Sequence, residues 1–204
     1  MRISKILNII FPKYLWQVDT SEKVIYLTFD DGPVPDYTEF VLSELDKFKA
    51  KATFFCVGEN IKKHPEIFQK ILINGHKVGN HTHNHLKGWN TDNGLYLENF
   101  RQCQDTIETF AVSHFFRPPY GRIKRKQASE ILKTHKIVMW SVLTRDYDKD
   151  YEKERCLKNA IRKTENGAIV LFHDSEKAWK NLSYVLPRYL EYFSEKGYSF
   201  EPLA

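Results

Sequence analysis

The amino-acid sequence predicts a single α/β domain built on parallel strands. Short apolar runs alternate with amphipathic stretches of helical period along the whole chain. Several of these runs are continuously apolar, as expected for strands covered on both faces. The 204 residues contain no internal repeat, low-complexity tract or Gly/Ser linker, which fits one domain. This alternation forms an open doubly wound sheet or a closed barrel, and periodicity alone does not choose between them.

Strand candidates are short apolar runs rich in β-branched and aromatic residues, each bounded by polar or turn-forming residues. They lie at residues 24–29, 52–57, 77–79, 115–116, 137–142, 168–172 and 198–201. The run at 168–172 (AIVLF) contains no polar residue, which is typical of a strand with both faces buried.

Helix candidates lie between the strands. In residues 37–48, apolar side chains fall on one stripe at helical spacing: Phe40, Val41, Leu45 and Phe48. Residues 65–74 start with proline and are followed by Gly75, and these residues favour the start and the C-terminal end of a helix. Further helical stretches lie at 95–110, 124–134, 151–164 and 181–195.

Composition excludes several classes of protein. Apolar residues make up 42% and charged residues 28%, as in folded rather than disordered chains. The 31 lysines and arginines exceed the 26 acidic residues only mildly, so we expect no nucleic acid partner. No apolar run approaches the ~20 residues of a transmembrane helix. Three widely spaced cysteines predict no disulfide framework and no metal site: Cys56, Cys103 and Cys156.

Residues 1–22 are interpreted as an N-terminal segment packed on a domain formed by residues 23–204. The segment has an early positive charge and a short apolar stretch that Asn8 interrupts, and no small-residue cleavage site follows. We therefore expect no secretory signal and a location in the cytoplasm or at the inner membrane surface. Four apolar side chains either close the bottom of the domain or make peripheral contact with a membrane: Ile6, Leu7, Ile9 and Ile10.

Polar residues cluster where the strand candidates end, and active sites of α/β folds form at that end of the strands. The first cluster is residues 28–33 (TFDDGP). Its adjacent carboxylates, Asp30 and Asp31, project in different directions, so one can bind a metal while the other acts as a base. The alternative is an ordinary turn, since Asp-Gly and Gly-Pro are common turn pairs.

The second cluster is residues 81–85 (HTHNH). His81 and His85 are four residues apart, so we expect both on one face of a helical turn, where they can bind one divalent ion. A carboxylate from Asp30 or Asp31 would complete a site of two histidines and one carboxylate, the type that activates water. The alternative is a surface histidine cluster.

Three further clusters follow later strands. Residues 117–121 (RPPYG) form a rigid loop in which Arg117 can orient a carboxylate and the Tyr120 N–H can bind an oxyanion. Residues 140–147 end a strand in a polar turn that contains Asp146, for which a surface role is the alternative. His173 leaves the buried strand 168–172, where a lone histidine is often structural.

Taken in order, the five clusters resemble the five motifs of the polysaccharide deacetylases, the NodB-homology domain of carbohydrate esterase family 4. Residues 28–33 match the first motif completely, and the third is represented by residues 117–121. The second, His-Ser/Thr-x-x-His, is matched by His81, Thr82 and His85, and the fifth, Leu-x-His, by Leu171 and His173. The resemblance runs from residue 23 to the C-terminus and implies the family's deformed (β/α) barrel.

The fourth motif departs from the family's Asp-x-x-Asp-Trp pattern. Leu143 replaces the first aspartate and Tyr147 replaces the tryptophan, whereas Asp146 is kept. We expect this change to alter the wall of the substrate groove more than the reaction, with Tyr147 still offering an aromatic face.

The resemblance implies a metal-dependent hydrolase that removes N-acetyl groups from an N-acetylhexosamine-containing glycan. The implied ligands are Asp31, His81 and His85, holding Zn²⁺, with Co²⁺ or Ni²⁺ as alternatives. Asp30 is then the general base and His173 the acid that protonates the leaving amine. The N–H of Tyr120 would bind the oxyanion.

The remaining implied roles are less specific. Asp146 either orients His173 or fixes Arg117, which in turn orients Asp30. Leu171 and Trp140 would line a small pocket for the acetyl methyl group.

Other functions are compatible with the same residues. The motif set would also serve hydrolysis of a non-carbohydrate amide or of O-acetyl esters. A glycan-binding module without catalysis is a further alternative, against which the intact catalytic set argues. A protein with a purely structural metal is another, in which a chelator would unfold the chain without any activity to lose. Candidate substrates are peptidoglycan, chitin-like oligomers, other N-acetylhexosamine polymers and lipid-linked sugars.

Overall fold

The computed structural model describes Leu7 and residues 9–204. The strands are β1 (Tyr14–Leu15), β2 (Val24–Asp30), β3 (Ala52–Cys56), β4 (Lys77–Asn80), β5 (Phe115–Phe116), β6 (Lys136–Val138), β7 (Val142–Leu143), β8 (Ala168–His173) and β9 (Ser199–Phe200). Between them lie the helices α1 (Tyr37–Lys47), α2 (Gly58–Lys63), α3 (Pro65–Ile73), α4 (Asn93–Glu108), α5 (Arg125–Ile131), α6 (Lys153–Lys163) and α7 (Trp179–Glu195).

The strands form one parallel sheet that curls back on itself. Their order is β1-β6-β5-β4-β3-β2-β8-β7, and β9 pairs with the start of β2. The segment 136–143 contributes to both sides, because β6 pairs with β5 while β7, a few residues later, pairs with β8. The predicted deformed (β/α) barrel is therefore confirmed, and the open doubly wound alternative is excluded.

Alternate residues of each central strand face two different environments, as the period of a β-strand requires. On the outward face of β2, Leu27 and Phe29 pack in a large apolar cluster with side chains of the surrounding helices, including Leu45 and Leu186. The inward face of β2 carries Thr28 and Asp30, whose side chains hydrogen-bond within the barrel. The outer cluster therefore stabilises the sheet, and the interior near the strand ends is free for polar side chains.

The prediction of one continuous strand over residues 137–142 is wrong, because the structure contains two strands there, β6 and β7. At the break, the carbonyl oxygens of Val138 and Met139 accept hydrogen bonds from the Arg117 side chain, at 3.1 and 2.7 Å. The chain changes partners here, from β5 to β8. The interruption therefore creates the acceptors that hold a buried guanidinium.

The other predicted elements are present, with their ends shifted by a few residues. Among the strands and α-helices given above, two were not predicted: the two-residue strand β1 and the short helix α2. All three cysteines are free and buried, so they pack as small apolar side chains and not as surface thiols.

The N-terminal segment contributes to the sheet. Tyr14 and Leu15 pair with β6, and the Val18 N–H donates to the Gly167 carbonyl oxygen at 2.9 Å. Ile9 and Ile10 are exposed, whereas Ile6 lies outside the described residues. The division at residue 22 and membrane contact by this segment stay predictions. Among the described residues, no helix is both long and apolar enough to span a membrane.

Candidate active site

The polar clusters meet at the carboxyl end of the barrel because the strands are parallel and in register. Asp30, the last residue of β2, pairs directly with His173, the last residue of β8. Asn80 at the end of β4 pairs with Phe116 of β5, so His81 and Arg117 follow at neighbouring positions. A pocket of about 340 Å³ opens there, and residues from all five clusters predicted from sequence line it.

Asp30 lies on the floor of this pocket in a fixed geometry. Its Oδ1 accepts a hydrogen bond of 2.7 Å from Arg117, whose same nitrogen also donates to Thr28 Oγ1 at 2.8 Å. Arg117 is fully buried and lies 4.1 Å from the centroid of the Phe55 ring. A buried guanidinium requires a charged partner and satisfied donors. Arg117 has both, so it holds one oxygen of Asp30 and leaves the other facing the pocket.

The second carboxylate, Asp31, belongs to a different cluster. Asp31, His81 and His85 each offer one ligand atom, and these atoms lie within 4.8 Å of one another. Asp31 Oδ1 is 3.2 Å from His85 Nε2 and 3.9 Å from His81 Nε2. This buried oxygen accepts no hydrogen bond within the described part of the chain. An acceptor without a proton donor, facing two imidazole nitrogens, fits a divalent cation with open positions.

The ligand set has a supporting layer of hydrogen bonds. His81 Nδ1 donates to the Arg117 carbonyl oxygen at 2.7 Å, which assigns the tautomer and leaves Nε2 as the free ligand atom. Burial lowers the pKa of His81 to about 4, against the opposing effect of Asp30, so the ring is neutral as metal binding requires. Burial raises the pKa of Asp31, but contact with His85 and the charges of His173 and Lys177 outweigh it and hold that pKa well below its usual range.

The prediction that His81 and His85 share a helical turn is wrong. They lie in a loop after β4 in which Thr82 and His85 have positive φ, at 64° and 54°, a backbone that no α-helix contains. The Asn80 side chain accepts from the Thr82 N–H, and Thr82 Oγ1 accepts from the Leu86 N–H. Side-chain hydrogen bonds therefore shape this loop and bring the two rings to 5.1 Å between centroids.

The backbone of Asp31 is also left-handed, with φ of 87°. Its carbonyl oxygen accepts from the Asn60 side chain at 2.7 Å, and the next N–H, that of Gly32, donates to Asp174 at 3.0 Å. A Cβ on Gly32 would lie 2.0 Å from Asp174, so no larger residue fits there. Asp174 is fully buried, and this burial together with the Asp31 charge raises its pKa to about 8. These contacts fix the backbone on both sides of Asp31, whose carboxylate lies beside His85 and His81.

Asp146 contacts His173 and not Arg117, which decides between the two roles that the sequence left open. Its Oδ1 lies 2.8 Å from His173 Nδ1, and its Oδ2 accepts the His173 backbone N–H at 2.7 Å. Burial lowers the pKa of His173, but Asp146 opposes it, helped by the charges of Asp31 and Asp30, and the net pKa is about 9. His173 is therefore held as an imidazolium with Nδ1 bound by the carboxylate.

The remaining predicted residues line the same pocket. Leu171 and Trp140 contribute apolar surface, and Tyr147 packs edge-on against His173 with ring centroids 5.0 Å apart. Leu143, from β7, is part of the same wall. Tyr120 is 60% exposed, has a φ of 59° and contacts the His85 ring. The structure thus brings every predicted site residue to one place, and their individual roles stay predictions.

The sequence analysis missed several contributors. Lys177 lines the pocket and its Nζ lies 2.8 Å from Asp31 Oδ2, to which Ser175 also donates. Ser175 directly precedes the 3₁₀ turn Glu176–Ala178, which contains Lys177, and no pattern in the sequence marks either residue. Lys87 and Arg122 also line the pocket; each comes two residues after a predicted site residue, His85 and Tyr120 respectively, which was the one available signal.

Known proteins to which this chain is similar include deacetylases that act on glycans. The family model for polysaccharide deacetylase matches residues 17–140. A peptidoglycan-N-acetylglucosamine deacetylase of Bacillus cereus is 32% identical over 192 residues, covering 91% of this chain and 88% of the relative. A chitooligosaccharide deacetylase of Azorhizobium caulinodans is 31% identical over 162 residues, covering 78% of this chain and 77% of the relative.

A solved structure agrees with these relatives. The crystal structure of a peptidoglycan N-acetylglucosamine deacetylase in complex with 4-naphthalen-1-yl-N-oxidanyl-benzamide superposes with a TM-score of 0.88. The two chains are 29% identical, and the match covers 94% of this chain and 91% of the other. Fold, motifs and relatives confirm the resemblance found in the sequence: the chain belongs to the polysaccharide deacetylase family.

Proposed function

We propose that this chain hydrolyses the N-acetyl group of an N-acetylhexosamine unit in a poly- or oligosaccharide, with Asp30 and Asp31 in separate roles. The observation that carries the proposal is the different partner of each carboxylate. Arg117 donates to Asp30, whereas Asp31 lies beside the two histidines of the candidate metal set, although the two carboxylates are adjacent in the chain. One pocket therefore contains a base, a ligand set and an acid.

We assign Zn²⁺ to Asp31, His81 and His85, with Co²⁺ or Ni²⁺ as alternatives. Two histidines and one carboxylate with an open side are ligands that catalytic zinc prefers. A divalent cation bound there would lower the pKa of water and polarise the acetyl carbonyl group. The residues described next would carry out the proton transfers.

Asp30 is the proposed general base. Arg117 fixes Oδ1, and Oδ2 is 3.7 Å from His81 Nε2, at the border between the ligand set and the pocket. A carboxylate held in this way can take a proton from the attacking water through Oδ2 without losing its orientation. The water oxygen forms the new C–O bond to the acetyl carbon as this proton is transferred.

His173 is the proposed acid. It lies on the strand beside Asp30, and Asp146 binds its Nδ1. Nε2 can therefore give its proton to the amine nitrogen as the C–N bond breaks. With a pKa of about 9, His173 is protonated at neutral pH and ready to donate.

Further residues are assigned to substrate contacts. The Tyr120 N–H is proposed to bind the oxyanion of the tetrahedral intermediate, and one such donor is worth about 2.7–4 kcal/mol. Leu171 and Trp140 offer apolar surface for the acetyl methyl group. Tyr147 presents an aromatic face on which a sugar ring can stack.

Acetate release from N-acetylglucosamine oligomers tests the proposal directly. Purified protein is assayed with Zn²⁺ supplied and again with a chelator, alongside an O-acetylated sugar and a panel of non-carbohydrate amides. We expect release of acetate from the oligomers that the chelator abolishes and added Zn²⁺ restores. Release from the non-carbohydrate amides alone would favour the alternative amide hydrolase, and zinc binding without any release would contradict the catalytic assignment.

A further inference from the structure

The mouth of the pocket carries four side chains that the proposed chemistry does not use. Lys87, Tyr120 and Arg122 line the pocket, and Trp89, which is 54% exposed, contacts Arg122. These four residues form the cationic rim. The Tyr120 side chain takes part in it, whereas the reaction proposed above uses only the Tyr120 backbone N–H.

The cationic rim is held together by two segments that pack closely. The Arg122 guanidinium lies 4.5 Å from the centroid of the Trp89 ring, and Trp89 Nε1 donates to the Ile123 carbonyl oxygen at 3.2 Å. A Cβ on Gly88 would lie 2.7 Å from the Arg122 carbonyl oxygen, so the two backbones touch. Arg122 is therefore oriented by its neighbours before any ligand arrives.

The cationic rim also adjoins the metal set. Lys87 Nζ is 5.8 Å from the centroid of the Tyr120 ring, and that ring packs at 4.7 Å against His85. A group bound by Lys87 and Arg122 would therefore sit beside the acetylated sugar and not in place of it.

The charges of this region are unbalanced. Among the described residues that line the pocket, Asp30 is the one carboxylate, and Arg117 holds it. Three described lysine or arginine side chains line the pocket: Lys87, Arg122 and Lys177. Of these, Lys177 is paired with Asp31. By contrast, no described carboxylate lies within ion-pair distance of Lys87 or Arg122, so two positive charges face the mouth of the pocket without a partner.

We infer that the cationic rim binds an anionic substituent, a carboxylate or a phosphate, carried by the glycan next to the N-acetyl group that is removed. Arginine and lysine on aromatic faces recognise such groups through charge and hydrogen bonds. This inference rests on the proposed function and sharpens its substrate class: an acidic N-acetylated glycan is preferred to a neutral one.

The test compares four tetrasaccharides with the same β-1,4 backbone. One is the neutral N-acetylglucosamine tetramer, and the second alternates N-acetylglucosamine with N-acetylmuramic acid, which adds a carboxylate. The third is the methyl ester of the second, and the fourth is the neutral tetramer phosphorylated at C6. We expect kcat/KM to be about fivefold to tenfold higher for an acidic tetramer than for its uncharged counterpart, with the gain lost at 0.5 M NaCl. Comparison of the carboxylate-bearing tetramer with the phosphorylated tetramer shows which of the two anionic groups the cationic rim prefers.

Variants of the cationic rim test whether its charges cause a preference for acidic tetramers. The double variant Lys87→Gln/Arg122→Gln should bring the ratio of kcat/KM for acidic over neutral tetramer close to one. The matched control is Lys126→Gln, which removes a charge from the same basic segment at an exposed residue that does not line the pocket. The control should keep the wild-type ratio.

Equilibrium binding separates this inference from the proposed function. Titration calorimetry with chelator-treated protein measures affinity for the same tetramers without turnover. Tighter binding of an acidic tetramer that the double variant loses supports the cationic rim even if no acetate is released. Equal affinities for acidic and neutral tetramers would overturn it, and acetate release from both would then leave the proposed function intact.

Discussion

The pocket floor and the cationic rim treat charge in opposite ways. On the floor, Asp30 is paired with Arg117 and Asp146 with His173, all of them buried or nearly so. On the cationic rim, exposed or half-exposed lysine and arginine side chains have no described carboxylate partner. Charges removed from water need a fixed partner, whereas charges in contact with water do not. The charged groups of the floor are thus fixed in pairs, whereas the charges of the cationic rim are accessible to a ligand.

The largest effect should come from breaking the floor at the base. Asp30→Asn keeps the ligand set intact, so we expect the variant to bind metal yet lose turnover by a factor of about 10²–10⁴. His81→Ala should lose both metal and turnover, because it removes a proposed metal ligand. Metal content by mass spectrometry and acetate release are measured on the same samples. Near-normal turnover by Asp30→Asn would mean that Asp30 is not the base.

The next effect concerns stability of the floor. Arg117→Met leaves the Asp30 carboxylate buried without its partner, and we expect the free energy of unfolding to fall by about 3–5 kcal/mol in urea titrations. The double variant Arg117→Met/Asp30→Asn removes the unpaired charge and should recover part of this loss. The control is Arg145→Met, which breaks an exposed ion pair with Asp148 and should change stability far less. Equal losses for the buried and exposed pairs would contradict the comparison.

A third effect is a change in the pH profile. As the proposed acid, His173 can donate a proton only when charged, so activity should be lost as pH rises through its pKa of about 9. Asp146→Asn removes the nearest negative charge and should move this alkaline limb of kcat/KM down by about one unit or more. Tyr147→Phe, which keeps the ring beside His173, is the control and should leave the limb in place. An unmoved limb in Asp146→Asn would exclude His173 as the titrating acid.

The smallest expected effect is on the pH dependence of stability, and it concerns His76, a buried group that has no ion-pair partner among the described residues. His76 Nδ1 accepts the Ala52 backbone N–H, and burial lowers the His76 pKa to about 4 from an ordinary value of 6.5. The unfolded chain therefore binds the proton first as pH falls, and stability should decrease between about pH 6.5 and pH 4. His76→Asn keeps an acceptor but does not titrate, and it should weaken this decrease by about 1–3 kcal/mol in urea titrations at pH 7 and pH 4.5. An unchanged pH dependence would show that His76 is protonated in the folded state.

Much of the site could be predicted because parallel strands deliver their carboxyl ends to one edge. The apolar runs of β2 and β8 are local features, and the residues that end them, Asp30 and His173, are therefore neighbours in any fold with this order. The same reasoning placed Arg117 and Asp146 near them. Strand and helix positions were predictable for a similar reason, since apolar period is carried by consecutive residues.

Other features depended on contacts between distant segments. The helical turn predicted for His81 and His85 was wrong because side chains from Asn80 and Thr82 stabilise a loop with positive φ. The predicted strand 137–142 was interrupted because the chain leaves β5 for β8 there. Neither event has a signature in local period or propensity.

The sequence by itself determined the alternation of strands and helices, the set of chemically capable side chains and their place at the strand ends, because these follow from residue type and spacing. Apolar period left the closure of the barrel open, and the motif resemblance implied it. The tertiary structure alone decided the partner of Asp146. It also placed Lys177 beside Asp31 and brought Lys87 and Arg122 to one rim. These outcomes depend on register and loop conformation, and both are set by which distant segments pack together.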